Sequence, residues 1–147
     1  MNSNMSMNSN ITIRRAKTAD SAELAVLNKQ LIDDEAHDNP MTIPELEARM
    51  AGFLSNGYDA YFCLDCDMRV VGYALVNMAA KPLYLRQFFI CRGERRKGYG
   101  KEFFTALLEH LNITTLDIEV LSWNEAGGAF WESLGFKRRS IYMRLER

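Results

Sequence analysis

The chain has 147 residues, of which 48% are apolar, 11% aromatic and 25% charged. This length and composition predict one globular domain with a substantial core and exclude two full-sized domains. The 18 Lys and Arg residues against 19 Asp and Glu give a net charge of -1, so no overall positive field attracts nucleic acid or anionic lipid. Three cysteines are too few for a disulfide scaffold, and the longest uncharged apolar run, Val70 to Ala80, is too short to cross a bilayer. We expect a soluble cytoplasmic protein without a membrane or nucleic-acid partner.

The amino-terminal residues differ from the rest of the chain. Residues 1–10 consist of Met, Asn and Ser alone, which predicts a disordered tail. A short alternating strand follows, and then a helix that Asp20 caps and that ends near Asp34. A second helix begins after Thr42, where Glu45 completes a capping box.

The middle of the chain is rich in β-branched and aromatic residues and predicts an antiparallel meander of three strands. A helix and another strand follow, and a strand, a crossover helix and a strand imply parallel pairing with a right-handed connection. Gly135 ends the last helix in a left-handed cap. The elements predicted after the second helix are strands Tyr58 to Leu64, Arg69 to Met78 and Leu83 to Cys91, a helix from Gly98 to Leu111, a strand from Leu116 to Leu121, a helix from Glu125 to Leu134 and a strand from Phe136 to Leu145. The order βααβββαβαβ predicts a single mixed α+β domain over residues 11–147.

The junction between the fourth strand and the third helix carries the strongest chemical signal. It contains Arg95-Arg96-Lys97-Gly98-Tyr99-Gly100, and the window from Arg86 to Lys101 holds six basic residues and one acid. The first amides of a helix lack internal acceptors and the helix dipole is positive there, so a pyrophosphate fits this position. A nucleotide P-loop is excluded because Tyr99-Gly100 stands where Lys and Ser or Thr are needed. A dinucleotide fingerprint is excluded because Phe103 replaces its third glycine.

With this loop, the chain resembles the GNAT superfamily of N-acetyltransferases. The loop matches the pattern of Gln or Arg, two residues, Gly, one residue, and Gly or Ala, after a hydrophobic strand. The segments that carry the resemblance are Ile11 to Arg14 before Asp20, Val71 to Ala74, Phe88 to Ile90, Arg95 to Gly100, Ile118 to Val120, Asn124, and Phe130 to Phe136. The resemblance implies a mostly antiparallel sheet whose parallel fourth and fifth strands splay apart. It also implies acetyl-CoA as acyl donor and an amine acceptor, and it is compatible with a homodimer. We expect no metal, because Cys63 and Cys66 have no second pair and His37 and His110 are isolated.

The resemblance further implies which residues contact acetyl-CoA. The loop amides and basic side chains would bind the pyrophosphate, and the end of the fourth strand would hydrogen-bond the pantetheine arm. The backbone amide near Ile90 would stabilise the oxyanion that forms when an amine attacks the thioester. Asn124 binds pantetheine, caps the last helix, or does both. The expected contacts are Phe89, Ile90, Arg95, Arg96, Lys97, Gly98, Tyr99, Gly100, Lys101, Asn124 and Phe130.

The catalytic base and acid do not transfer directly from the resemblance. An alkylammonium with a pKa of about 10.4 must lose a proton before it attacks, and the departing thiolate gains one. Strand alternation makes Glu119 the candidate base, although a solvated strand carboxylate has the same pattern. Trp131 stands where many relatives carry a tyrosine acid, and an indole is no useful acid. Tyr142 is therefore either the acid or an ordinary strand tyrosine.

The acceptor is predicted from local charge. Residues Asp33 to Ala48 include six acids and no Lys or Arg, and in the family this link borders the acceptor side. Glu35 and Asp38 are expected to attract a cationic small-molecule amine, although acids near helix starts also serve as caps and dipole partners. Three functions stay open: N-acetylation of a small amine by direct attack, a non-catalytic acyl-CoA-binding sensor, and acetylation of a protein amine or a charged tRNA.

Overall fold

The structure is a computed structural model that describes residues 10–147, so the predicted tail lies almost entirely outside the described residues. The strands are β1 (Thr12–Arg15), β2 (Tyr58–Leu64), β3 (Val70–Asn77), β4 (Leu83–Ile90) and β5 (Leu116–Ile118). The helices are α1 (Ser21–Asp34), α2 (Ile43–Ser55), α3 (Tyr99–Leu111) and α4 (Glu125–Ser133). Among the helices of this part, none is both long enough and apolar enough to span a membrane.

The five strands form one sheet in the order β1-β2-β3-β4-β5. The first three pairings are antiparallel and the pairing of β4 with β5 is parallel. This arrangement confirms the predicted mixed α+β class and the predicted parallel crossover. β5 pairs with Leu83, Tyr84 and Leu85 only. The remaining residues of β4, 86–90, have β3 on one side and form what we call the open edge of β4.

The helices cover the two faces of the sheet and bury a core on each face. On the side of α1 and α2, Leu24 and Met50 pack against Phe62, Tyr73 and Phe89 of the sheet. The other face packs against α3, and its core includes the buried residues Val71, Ala74, Ile90, Phe103 and Leu107. Because successive strand side chains point to opposite faces, Phe89 and Ile90 fix the end of β4 between both layers.

The two predicted helix caps have different outcomes. At α2 the capping box is confirmed, because Thr42 Oγ1 accepts from the Glu45 amide at 3.3 Å and Glu45 Oε1 accepts from the Thr42 amide at 2.8 Å. At α1 the prediction holds for position only, because Asp20 is the N-cap residue but its side chain makes no capping hydrogen bond to the helix. Asp20 Oδ2 accepts from the amide of Lys17 at 2.7 Å, so its carboxylate serves a short 3-10 turn at residues 18–20 rather than the helix.

Two strand predictions near the carboxyl terminus are wrong. β5 ends at Ile118 instead of Leu121, and the segment from Phe136 to Leu145 has no regular structure. A strand is stabilised by a backbone ladder with a neighbour, and a three-residue β5 offers only a short edge to pair with. The apolar residues that alternate in this segment are exposed, with Ile141 85% accessible. Gly135 does end the last helix at a φ of +100°, as predicted.

Candidate active site

The loop between β4 and α3 has the backbone geometry of an anion site. Gly98 is the N-cap of α3 at a φ of +83°, a conformation that glycine adopts without strain. The first hydrogen bond of the helix runs from the Glu102 amide to the Gly98 carbonyl at 3.2 Å. The amides before Glu102 therefore have no helical acceptor and point out of the helix end. A Cβ atom at Gly98 would meet nothing within 4 Å, so the space around this residue is open.

Three predicted cofactor residues come together next to this loop. A Cβ atom placed on Gly100 would lie 3.3 Å from two ring carbons of Phe130 and 3.8 Å from Cγ1 of Ile90. A residue larger than glycine would therefore push α3 away from α4 and from the end of β4. The phenyl ring of Phe130 also stacks on Phe88, with ring centroids 6.3 Å apart.

The backbone of Ile90 faces the open edge of β4. The amide of Cys91 donates to the carbonyl of Val71 at 2.8 Å, and Ile90 lies opposite Gly72 in the register. Since successive residues in an antiparallel ladder point to alternate sides, the N–H and C=O of Ile90 point away from β3. The carbonyl is held there by Arg95, whose Nε donates to it at 2.9 Å. The N–H of Ile90 is thus left without a partner from β3 and points to the open edge of β4.

The predicted loop cations divide into two that are paired and two that are not. Nη2 of Arg95 lies 2.5 Å from Oδ2 of Asp34, and Nζ of Lys97 lies 3.0 Å from Oε1 of Glu94. Within residues 10–147, neither Arg96 nor Lys101 pairs with a carboxylate, and both are exposed. Arg96 and Lys101 are therefore the cations most available to an incoming phosphate.

Asp34 is a residue of this site that sequence reasoning missed. It lies at the end of α1 and accepts hydrogen bonds from both Arg92 and Arg95. Burial opposes its charge, but the two arginine hydrogen bonds outweigh burial and hold the pKa of Asp34 below its usual value. Arg95 follows Asp34 by 61 positions, so the sequence offered only the sign of the local charges as a signal.

Asn124 has the predicted capping role. Its Oδ1 accepts from the amide of Gly127 at 2.9 Å at the start of α4. A Cβ atom on Gly127 would lie 2.4 Å from Nδ2 of Asn124, so the glycine makes room for the cap. Binding of pantetheine by Asn124 stays a prediction.

Glu119, the candidate base, has a partner that sequence reasoning did not assign. It lies just after β5 and its Oε1 accepts from the hydroxyl of Tyr84 at 2.7 Å. Burial of the phenol, together with the hydrogen bond and charge of Glu119, raises the pKa of Tyr84. Tyr84 therefore stays protonated and orients one oxygen of Glu119. The pairing depends on the parallel register of β4 and β5, which residue patterns do not specify.

Trp131 belongs to the core rather than to a proton-transfer chain. Its ring makes edge contacts with Phe88 at 5.1 Å, Phe104 at 5.3 Å and Phe136 at 5.4 Å between centroids. These contacts fasten α4 and the start of the carboxyl-terminal segment to α3 and β4. The aromatic packing accounts for the residue at this position without a catalytic role.

The remaining predicted site residues lie near the link between α1 and α2. The carbonyl of Glu35 accepts from Nε1 of Trp123 at 3.0 Å, and burial raises the pKa of the Glu35 carboxyl. Asp38 is exposed, with Oδ2 3.9 Å from Nη1 of Arg144. Arg144 also donates to the hydroxyl of Tyr142 at 3.2 Å, so the structure brings Asp38 and Tyr142 to the same arginine. Tyr142 itself is 79% exposed.

A cleft lies next to the end of β4. It has a volume of about 560 Å³ and lies between α1 and the residues that follow Ile90. The residues that line it are Leu27, Gln30, Asp33, Asp34, Cys91, Arg92 and Gly93. The cleft gives solvent access to the end of β4 from the side of α1.

The sequence decides the family. A family model described as an acetyltransferase (GNAT) domain matches residues 13–145. The chain belongs to the GNAT acetyltransferase family. This match confirms the resemblance drawn from the loop and the strands around it. No functionally curated protein is a significant match to this GNAT chain.

Solved structures show the same fold at low identity. A possible acetyltransferase from Clostridium difficile 630 superposes with a TM-score of 0.75 at 17% identity, over 93% of this chain and 97% of that one. A spermidine N-acetyltransferase from Vibrio cholerae, in complex with CoA and spermine, superposes with a TM-score of 0.71 at 19% identity. The superposition covers 90% of this chain and 84% of that one. An aminoglycoside acetyltransferase from an uncultured soil metagenomic sample, in complex with sisomicin, superposes with a TM-score of 0.71 at 14% identity. The superposition covers 94% of this chain and 97% of that one. These similarities establish the fold of this chain and leave its acceptor open.

Proposed function

We propose that this GNAT chain transfers the acetyl group of acetyl-CoA to the primary amine of a small cationic molecule by direct attack. The observation that carries the proposal is the fixed N–H of Ile90 on the open edge of β4, next to the free amides at the start of α3. The two similar structures whose descriptions name spermine and sisomicin support a small polycationic acceptor. Acetyl-CoA is the acyl donor in this proposal and no metal takes part.

The loop between β4 and α3 and the open edge of β4 bind different parts of the donor. The amides of residues 99–101 and the side chains of Arg96 and Lys101 hold the diphosphate. Arg95 can contact a phosphate that displaces the carboxylate of Asp34 from its ion pair. Lys97 can contact a phosphate that displaces the carboxylate of Glu94. The pantetheine arm lies along the open edge, beside Phe89, Ile90, Asn124 and Phe130. The N–H of Ile90 stabilises the oxyanion, and loss of a comparable donor in other enzymes costs about 10² to 10³ in rate.

Glu119 serves as the general base in the proposed reaction. Its second carboxylate oxygen is free to accept a proton from the ammonium, directly or through water, while Tyr84 fixes the first. The nitrogen then attacks the thioester carbon and the thiolate leaves. Tyr142 is proposed as the acid that protonates the thiolate, and water takes this role if the exposed tyrosine does not reach it.

Glu35 and Asp38 are proposed to attract the cationic acceptor. Both lie on the acidic link after α1, and the side chain of Asp38 is 79% exposed. Substitution of both residues by their amides is expected to raise the KM for cationic amines and to leave the affinity for CoA unchanged. An unchanged KM for every cationic acceptor would exclude this role.

The proposed function is tested by an acetyl-transfer assay. The purified protein and acetyl-CoA are incubated with a panel of primary amines, and free thiol is measured. At least one amine should give saturable thiol release, and Glu119→Gln should lower kcat at least tenfold. The neighbouring Asp117→Asn, at an exposed position of β5, is the matched control and should leave kcat unchanged. If none of the amines gives thiol release although CoA binds tightly, the proposal is overturned in favour of a non-catalytic acyl-CoA-binding module.

A further inference from the structure

Two arginines lie together on the face of the sheet that α1 and α2 cover. The guanidinium carbon of Arg49, on α2, is 5.4 Å from the centroid of the Phe53 ring, and that of Arg86, on β4, is 4.8 Å from the same centroid. Nη1 of Arg86 donates to the hydroxyl of Tyr58 at 3.4 Å. Nη2 of Arg49 donates to Oδ1 of Asn28 at 3.1 Å.

Neither of these arginines has its charge neutralised by the protein. Across residues 10–147, no carboxylate forms an ion pair with Arg49 or Arg86. Nε of Arg49 is moreover fully buried and has no hydrogen-bond partner. Burial, together with the charge of Arg86, lowers the pKa of Arg49, although a guanidinium stays protonated in proteins.

An arrangement of this kind is unfavourable without an anion. A buried donor without an acceptor loses its hydration and gains nothing in return, and two adjacent cations repel each other. An oxyanion bound by the two guanidinium groups would offset their mutual repulsion, because guanidinium donors match the two oxygens of a carboxylate.

The arginines lie close to the proposed reacting centre. Arg86 is the extra residue of a bulge in β4, where Gln87 pairs with Leu75 and Leu85 pairs with Val76. The bulge turns Arg86 toward α2 and begins the open edge of β4. Tyr84, which orients Glu119, lies two residues earlier on the same strand. An acceptor bound at the arginine pair would therefore lie on the strand that carries both Tyr84 and the N–H of Ile90.

We infer that the acceptor is an amine that also carries a carboxylate, an amino-acid-like molecule, and that Arg49 and Arg86 bind this carboxylate. The inference rests on the proposed function and names the substrate class of the same site. It adds an anionic group to the cationic acceptor proposed above, because a diamine with a carboxylate satisfies both features. Arg49 and Arg86 then determine specificity without taking part in proton transfer.

The test compares amines that differ by one carboxylate. Lysine, ornithine and tyrosine are assayed against cadaverine, putrescine and tyramine, with acetyl-CoA and detection of free thiol. We expect kcat/KM to be at least tenfold higher for the carboxylate-bearing member of at least one pair. Arg86→Gln, at an exposed position, should remove this preference by raising the KM for the carboxylate-bearing member of the pair. Arg15→Gln, which removes an exposed arginine from β1, is the matched control and should keep the preference.

Variants of Arg49 and a phosphate-bearing amine test the inference further. Arg49→Lys retains the charge but removes Nε, and it should weaken the carboxylate preference even if Arg49→Gln fails to fold. Acetylation of amines with no preference for a carboxylate would overturn the inference and leave the proposed function standing. A preference for phosphoethanolamine over ethanolamine, without any carboxylate preference, would overturn the assignment in favour of a phosphate.

A binding measurement separates the two proposals if no amine is acetylated. Calorimetry with CoA and N-acetyllysine, in comparison with N-acetylcadaverine, reports on the arginine pair without turnover. Binding of N-acetyllysine that is at least tenfold tighter in the parent, and equal in Arg86→Gln, would support the inference although the proposed transfer had failed. Equal binding of both compounds to the parent protein would contradict it.

Discussion

Gly72 is required by the close approach of two strands rather than by a turn. A Cβ atom at this position would lie 2.4 Å from the carbonyl oxygen of Phe89, inside any normal contact distance. We expect Gly72→Ala to force β3 and β4 apart and to lower the free energy of unfolding by about 1–3 kcal/mol, a typical cost of overpacking. Thermal denaturation of the variant measures this loss.

The matched control for Gly72 is another glycine. Gly52 lies inside α2 and a Cβ atom there would meet nothing within 4 Å. Alanine is favoured over glycine in a helix interior by about 1 kcal/mol, so Gly52→Ala should raise the melting temperature. A Gly72→Ala variant as stable as Gly52→Ala would show that the β3–β4 contact is not as close as described.

Glu35 predicts a pH dependence of stability. Because burial raises the pKa of its carboxyl in the folded chain above the ordinary value of 4.5, stability falls as the pH rises through the folded pKa. Glu35→Gln removes this loss and should be more stable than the parent at pH 8 and no more stable at pH 4. Thermal melts of the exposed variant Glu47→Gln serve as control. An equal effect of Glu35→Gln at both pH values would contradict the burial of this carboxyl.

At the scale of elements, Asp34 connects α1 to the loop between β4 and α3. The carboxylate holds Arg92 and Arg95, and Arg95 in turn holds the carbonyl of Ile90. The end of α1, the loop and the end of β4 are thereby joined through one side chain. In the proposed function the same arginines attract the phosphates of the donor, and Asp34 would then compete with the donor for Arg95.

Asp34→Asn should separate the effect of this carboxylate on stability from its effect on the affinity for CoA. Because the pKa of Asp34 is lowered in the folded chain, its stabilising contribution is present above about 3.8 and is lost as the pH falls through the folded pKa. The variant should therefore melt at a lower temperature than the parent at pH 7, with a difference that narrows below pH 3.8. Its affinity for CoA, measured by calorimetry, should rise several-fold because Arg95 is released. Asp33→Asn, an exposed neighbour, should change neither quantity.

A variant that melts like the parent at pH 7 and binds CoA with parental affinity would contradict this account of Asp34. The helix dipole and the loop amides would then bind the donor without any contribution from α1.

At the scale of the whole molecule, sequence patterns predicted what depends on local periodicity. Capping residues and apolar spacing gave α1 to α4, and β-branched runs gave the meander with its parallel crossover. The role of Gly98 and Gly100 at the start of α3 could be predicted, because an anion site at a helix start needs residues that let the ligand approach the backbone. The homodimer and the single domain over residues 11–147 stay predictions.

Pairings between distant segments could not be predicted from local patterns. Tyr84 meets Glu119 because of the register between β4 and β5, and Arg49 meets Arg86 because α2 packs over a bulge. The predicted last strand, Phe136 to Leu145, contains the alternating apolar residues Ile141, Met143 and Leu145, which are exposed in the structure. Alternation gives the tendency of a segment to form a strand, but a strand also needs an available partner edge.

The account depends most directly on the binding of CoA at the start of α3, which calorimetry on the folded protein measures. We expect CoA to bind, and Arg96→Glu and Lys101→Glu each to weaken its affinity at least tenfold, since a charge-assisted hydrogen bond contributes about 1.5–3 kcal/mol. Lys81→Glu makes the same charge change at the opposite end of β4 and should leave the affinity unchanged. No affinity for CoA, or equal affinity in all of these variants, would contradict the account.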